Sequence, residues 1–573
     1  MGPTNFYTSS RNLVDQANRD ARRRSSKRLG IIVVSTILLA CLIAAITVII
    51  VRGNRRSVGN IDESESPSIS ASIKTMCDNS VYPESCYDTL SDATNSTTNP
   101  MDLYRIAIGI AMNEVLRAND ELEVMKNTVD PKYHDAIVVC EELLNMSYDS
   151  LNASISSDLT SSTVIIDDLK TWMSASLTYQ DTCLESFSDD SMRTQISGVL
   201  ANSTEFASNG LSILTQFATF LGVSKMRRRS MLEYIEKEST LSQFPTWLSS
   251  KDRKLLEEPN LRGSAKITVA KDGSGTHTSI NAALKDVPLK STARTVIYVK
   301  EGIYNEYVEI EKKMKNIMMI GDGKSLTVIT GSKNFVDGTP TFKSATLIAS
   351  GEGFIAIDLS IVNTAGYKKH QAVAMRSNAD KSVFYRCKFD AYQDTLYTHS
   401  MRQFYRDCDV LGTVDFIFGN AAVVFQNCRL MPRLPGPGQK VLITAQGKTD
   451  KNQNTGTSIQ NCYVVAYGQI GDTPVYLGRP WKAYATTVFM KTALPSFLHK
   501  EGWLAWEGSS GPKTIFYGEY QNTGTGSSVW GRVKWEGVHS SLSTSQASAY
   551  TVNSLLAGGL WIKPAGAPYS TGL

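Results

Sequence analysis

The sequence predicts a right-handed parallel β-helix over residues 265–573, preceded by an all-α four-helix-bundle region and, near the N-terminus, a transmembrane helix. Three observations carry this. A Cys-centred unit recurs at intervals near twenty residues in the C-terminal half, as stacked coils require. Residues 74–222 carry apolar side chains at three-to-four spacing, the period of amphipathic helices. Residues 30–51 hold no charge over 22 positions, enough to cross a bilayer as a helix.

Six segments follow: a basic cytosolic tail over 1–29, a membrane anchor over 30–51, a linker over 52–73, the helical region over 74–222, a second linker over 223–264 and the β-helix over 265–573. Arg19, Arg22, Arg23, Arg24, Lys27 and Arg28 precede the apolar run, against Arg52, Arg55 and Arg56 after it. That bias keeps the N-terminus cytosolic and sends the remainder into the lumen, whether the span is retained or removed as a signal. Sequons at Asn95, Asn145, Asn152 and Asn202 fit glycosylation in that compartment.

Stretches such as 102–125 and 204–222 give the helical region its bundle pattern. It holds Cys77, Cys86, Cys140 and Cys183, a short gap followed by long ones, which suggests a local staple plus a clamp between two helices among three formal connectivities. The basic segments at 225–230 and 251–254 lie between regions of different composition, where a processing protease finds exposed chain.

Beyond residue 265 the texture changes to short β-branched runs broken by Gly, Asn and Asp. The recurring unit is Phe384-x-x-Cys387-x-Phe389, Tyr405-x-x-Cys408-x-Val410, Phe425-x-x-Cys428-x-Leu430 and Ile459-x-x-Cys462-x-Val464. Ile357-x-x-Ser360-x-Val362 fits the same frame with Ser in the Cys place. Asp394 and Asp415 each follow their Cys by seven residues, so stacking of the cysteines stacks the aspartates on adjacent coils, roughly 5 Å apart. Two carboxylates at that separation do not both ionise easily, leaving one as an acid and the other charged. Arg479 is placed to hold the charged one by a two-pronged pair, and Gln371 and Gln393 offer amide donors.

Around these residues the sequence resembles the plant-type pectin methylesterases, matching GxYxE (Gly302 to Glu306), QAVA (371–374), YQDTLY (392–397), DFIFGNA (415–421) and LGRPW (477–481) in order. The helical region is similar to pectin methylesterase inhibitor domains, and RKLL at 253–256 looks like the processing signal of two-domain precursors. The resemblance implies Asp415 as nucleophile, Asp394 as general acid and base, and Gln393 and Gln371 as oxyanion donors. It also implies Thr341, Gln371, Arg479 and Trp481 as substrate contacts. No matched position departs from the pattern. The implied reaction removes methyl groups from the C6 esters of pectin, giving pectate and methanol, with no cofactor and no metal. Cys387, Cys408, Cys428 and Cys462 share one column, open to pairing as 387–408 with 428–462 or as 408–428 alone.

Charge is segregated: about +8 for residues 1–56, about −14 for 57–256 and about +10 for 257–573. A basic end alone does not choose among nucleic acid, anionic lipid and acidic polysaccharide. The motifs choose pectin and exclude nucleic acid. They also argue against a lyase, which would need clustered acidic Ca²⁺ ligands, and against a purely inhibitory or wall-binding module. Expected partners are therefore pectin, proteinaceous inhibitors of this enzyme class, a processing protease and, through residues 30–51, the membrane. The charge contrast predicts docking of the helical region on the β-helix, as an inhibitory cover or as a folding aid or retention signal.

Overall fold

Short β-branched runs interrupted by residues that tolerate sharp corners cannot make long strands, and the C-terminal half winds instead into coils of three short strands. The computed structural model describes residues 69–573 other than 94–96, 98, 158–162, 221–261, 264, 509–510 and 563–565. One coil runs through Ser382–Tyr385, Lys388–Asp390 and Leu396–Thr398, and the next through Arg402–Arg406, Asp409–Gly412 and Ile417–Gly419. Each strand pairs in parallel with its counterpart one coil away. Among the described residues this builds three sheets, of eleven, seven and seven strands, the topology of a parallel β-helix.

The repeat read from the sequence becomes register. Phe384, Tyr405, Phe425, Ile459 and Phe489 lie in one column, and so do Phe389, Val410, Leu430 and Val464. Rings in the first column stack, Phe384 on Tyr405 at 4.5 Å and Tyr405 on Phe425 at 4.6 Å between centroids. Such pairs add about 0.5–1.5 kcal/mol beyond their burial. One instance of the repeat is out of frame by a residue. Ser360 pairs with Lys388, so it is Leu359, fully buried, that precedes Cys387 in the inward column.

Every member of that column follows a left-handed corner. Asp358, Arg386, Asp407, Asn427 and Asn461 all have φ between 53° and 57°. Asp and Asn accept this conformation more readily than other residues with a Cβ, and Asp or Asn fills four of the five corners.

The expected disulfides among Cys387, Cys408, Cys428 and Cys462 do not form: all four are free and buried. Parallel stacking is the reason. Side chains at one register point the same way, so their Cβ atoms stay at the strand spacing of about 4.8 Å rather than converging to the roughly 3.8 Å that a disulfide requires. The thiols turn instead to main-chain carbonyls, Cys387 Sγ to Ala356 O at 3.4 Å and Cys408 Sγ to Phe384 O at 3.4 Å.

The N-terminal part forms helices α1 (Ile69–Cys77), α2 (Pro83–Ala93), α3 (Pro100–Lys126), α4 (His134–Ile155), α5 (Thr163–Glu185) and α6 (Asp190–Phe220). Helix α1 therefore starts inside the segment read as linker up to residue 73. Helix α3 begins where Asn99 accepts from Met101 N and Pro100 sits at the first helical position. Cys77 bonds Cys86, stapling α1 to α2, and Cys140 bonds Cys183, clamping α4 to α5. Asn145, Asn152 and Asn202 are exposed on helix surfaces, while Asn95 lies outside the described residues. So do the apolar span 30–51 and the RKLL segment; among the described residues no helix is long and apolar enough to cross a membrane.

Residues 69–573 make one compact unit in which the helices pack directly on third strands of the coils, Leu347–Ala349, Leu396–Thr398, Ile417–Gly419 and Val441–Gln446. Leu143, Met173, Tyr179 and Leu214 share an apolar cluster with Phe342, Ile348, Val373, Tyr397, Phe418 and Ala445 of the β-helix. Around it the ion pairs run one way, acid from the helices and base from the coils. Asp149 meets Lys312 at 2.7 Å, Asp168 meets Arg402 at 2.6 Å, Asp181 meets Lys482 at 3.0 Å, and Glu142 pairs with Lys343. The segregation of charge along the chain thus becomes a complementary interface.

Alkylation of the denatured, unreduced chain should label the peptides carrying Cys387, Cys408, Cys428 and Cys462 and spare those carrying Cys77, Cys86, Cys140 and Cys183. Peptide mass mapping reads this directly, and a crosslinked pair from the β-helix column would contradict the free-thiol column.

Candidate active site

Asp394 and Asp415 each stand two residues before the third strand of their coil, and the pairing of Leu396 with Ile417 places them in matching register one coil apart. Asp394 N donates to Val414 O at 3.0 Å, tying the two turns together. Both residues are left-handed, with φ of 63° and 50°. Both aspartates thus occupy left-handed turns, and the backbone is what brings the two side chains together. Each residue is less than a tenth exposed.

Arg479 reaches in from a later coil and forks onto Asp415, with Nε at 2.9 Å from Oδ1 and Nη2 at 2.6 Å from Oδ2. Its guanidinium rests 4.0 Å from the Trp506 ring centroid, which fixes the plane of the fork. Burial raises the Asp415 carboxyl above the ordinary carboxylate range, and the Arg479 hydrogen bonds and charge pull against it. Burial raises Asp394 much further, the charge of Asp415 adds to the rise, and Arg479 opposes it. The cation sits on Asp415, so of the two carboxyls Asp394 holds its proton the more firmly.

Gln371 and Gln393 are joined by a parallel bridge, so both amides enter the site from adjacent coils. Thr341 opens the short 3₁₀ turn Thr341–Lys343, and Trp481 packs near Tyr397 and Phe418, whose rings stack at 4.2 Å. Gln371, Gln393, Asp394, Asp415, Arg479, Thr341 and Trp481 all line one cavity of about 750 Å³. Its opposite wall belongs to the helices: Lys132, Tyr133 and Asp135 at the start of α4, and Glu185 to Asp189 where α5 turns into α6. All sequence-expected catalytic and substrate-contact residues converge here, under a helical roof. Among the described residues no group of His, Cys, Asp and Glu is placed to hold a metal ion.

Sequence reasoning missed Trp506, Phe342, Arg376 and His399. Trp506 lies outside every motif and meets Arg479 only through folding. His399 is fully buried and its Nε2 lies 2.8 Å from Thr182 Oγ1 of α5, a contact that needs the docked helix. Arg376 had a signal: it pairs with Tyr397, which pairs with Phe418, so stepping back one coil from the aromatic column reaches it.

Comparison with known proteins shows the family. Residues 266–559 match the family model described as Pectinesterase, and residues 71–213 match the one described as Plant invertase/pectin methylesterase inhibitor. The chain is 44% identical over 559 residues to the putative pectinesterase/pectinesterase inhibitor 24 of Arabidopsis thaliana, covering 97% of each. It is 44% identical over 522 residues to pectinesterase 3 of Phaseolus vulgaris, covering 88% of this chain and 87% of that one. Among solved structures it is similar to the pectin methylesterase from carrot, with a TM-score of 0.53 and 48% identity, over 54% of this chain and 98% of that one. A solved protein thus corresponds to the β-helix portion alone. With the fold, the converging site and these matches in agreement, the chain belongs to the pectinesterase family, as a pectin methylesterase preceded by a domain of the inhibitor type.

Proposed function

We propose that the chain is a membrane-inserted precursor of a cell-wall esterase whose aspartate pair demethylates pectin, and that the helical region holds it inactive until cleavage. The observation that carries the chemistry is the Arg479 fork on Asp415 with Asp394 in register beside it. Asp415 attacks the C6 carbonyl of a methylated galacturonosyl unit, and the Gln371 and Gln393 amides receive the developing oxyanion. The carbonyl–methoxy bond breaks as the Asp394 proton passes to the departing oxygen, giving methanol and an acyl–aspartate. Asp394, now charged, takes a proton from water, and that water cleaves the acyl–aspartate bond to give the free uronate and regenerate Asp415. Arg479 orients Asp415, and Thr341, Gln371, Arg479 and Trp481 contact the polymer over a floor completed by Tyr397 and Phe418.

The inhibitory reading rests on the roof. Helix α5 and its turn into α6 line the cavity that substrate must enter, and the interface combines apolar packing with complementary ion pairs. Cleavage in 223–264, at RKLL or near it, frees the enzyme after residues 30–51 have delivered the chain to the secretory pathway with its N-terminus cytosolic. Sugars on Asn95, Asn145, Asn152 and Asn202 would then lie on the part that is removed. Once the groove is open, a free inhibitor of the same domain type can take the place of the helical region.

Purified residues 257–573 should release methanol from methylated pectin without creating reducing ends; reducing ends without methanol would mean glycoside hydrolysis instead. Asp415→Asn, which keeps a side chain suited to the left-handed turn, should lower kcat on the order of 10⁴-fold with the melting temperature retained. Asp394→Asn should cost roughly 10²- to 10⁴-fold, the usual reach of general acid–base catalysis. Near-normal turnover by folded Asp415→Asn protein rejects the assignment.

The pH profile should be a bell. Asp415 must be charged, so the rate falls as pH drops through its raised value. Asp394 must be protonated at the start of the cycle, so the rate falls as pH climbs through its still higher one. The residual activity of Asp394→Asn should lose the alkaline limb, and an unchanged limb would remove Asp394 from the proton-transfer role.

A further inference from the structure

The fold pairs its other fully buried arginines with care. Arg402 forks onto Asp380 at 2.9 and 2.6 Å and also meets Asp168, and Arg532 grips Glu519 at 2.7 and 3.1 Å. Arg376 is different. It is 1% exposed, its guanidinium Cζ lies 3.4 Å from the Phe342 ring centroid, and its Nε and Nη1 have no hydrogen-bond partner. Burial pushes it down to about 10 against the distant support of Glu142 and Glu309, and Glu142 is already engaged by Lys343. A buried cation with unsatisfied donors is destabilised, so the covered chain keeps Arg376 in an unfavourable state.

Its position says what relieves that state. Arg376 lies in strand Met375–Ser377 and shares a register column with Tyr397, Phe418 and Ala445, the floor beneath the helices. It is therefore one coil from the Asp394 coil, roughly 5 Å along the axis. When the helical region departs it takes Glu142 away from Arg376, while Phe342 stays over one face of the guanidinium. At the other end of the floor, Lys482 follows Trp481, with Nζ 5.5 Å from its ring centroid. Its described ion-pair partners are Asp181, at 3.0 Å, and Glu185, one turn apart on α5. Removing the helices strips Lys482 of both carboxylates.

We propose that Arg376 and Lys482 are recognition positions for the free carboxylates of unesterified galacturonosyl units flanking the ester under attack, and that Asp181 and Glu185 occupy the Lys482 position in the covered chain. The inference rests on the esterase reading for its substrate class. A polyuronate offers carboxylates, which Nε or Nη1 of Arg376 can meet by a charge-assisted hydrogen bond while the sugar packs on Tyr397. Lys482 acts as a point charge at the far end. Partly demethylated chains therefore bind better than fully methylated ones, and helical cover and uronate compete for the same cation.

The test uses residues 257–573, a portion matching a complete solved enzyme, with polygalacturonate as probe. Calorimetric titration should show salt-sensitive binding, weakened about tenfold in Arg376→Gln and about tenfold in Lys482→Gln, the effect of losing one charge-assisted contact. Arg376→Lys should recover part of the loss. In methanol-release assays KM should rise more on half-demethylated pectin than on fully methylated pectin. Unchanged polygalacturonate affinity in Lys482→Gln, an accessible site whose change leaves the core intact, overturns the proposal, as does an equal KM change on both substrates. Absence of methanol release by unaltered 257–573 would instead reject the esterase reading, and the calorimetric result stands independently of it.

Discussion

Parallel stacking at a fixed strand spacing is the constraint on which the rest depends. Residues one coil apart must point the same way and sit about 4.8 Å apart. Applied to apolar positions, this yields the Phe384–Tyr405–Phe425 stack at the centre of the core. Applied to cysteines, it keeps four thiols side by side and unbonded. Applied to Asp394 and Asp415, it forces two carboxyls into a proximity that water would oppose, and burial with the Arg479 fork separates their protonation. The same register that sets the free thiols side by side sets the two carboxyls side by side.

The outward side of the third sheet shows what such a surface requires before use. A floor of Tyr397 and Phe418, bounded by Arg376 and Lys482, suits an acidic sugar polymer and is a poor surface to leave open within a precursor. The helical region meets it with apolar side chains over the rings and with Asp149, Asp168, Asp181 and Glu142 over the bases. Arg376 is the position where the match fails. Its two idle donors mark a difference between what the cover supplies and what the floor was shaped to receive.

Much of this was legible in the sequence because the period of the coils is written in identities. Counting from Cys387 to Cys408 and from Asp394 to Asp415 gives the same interval of 21, and the register keeps it. The local staple at Cys77 and Cys86 and the helix-to-helix clamp at Cys140 and Cys183 were readable from their gaps. Ser360 misled because a small residue beside the inward position imitates the Cys frame, while the corner before it, Asp358, marks Leu359 as the inward residue. Trp506 and His399 were hidden because their partners come from elements remote in sequence. Disulfide pairing in the column is not legible from the repeat, because a shared register brings cysteines together and only the parallel direction of their Cα–Cβ vectors keeps the thiols from converging.

The central claim is that one fold carries both a competent aspartate pair and the helices that cover it. Methanol release by the full chain, followed before and after cleavage at a protease site engineered within 221–261, tests that claim most directly. The account predicts little release from the intact chain and a marked rise after cleavage, larger when salt loosens the ion-paired interface. Equal rates before and after cleavage, with the helical region shown to have dissociated, would contradict it.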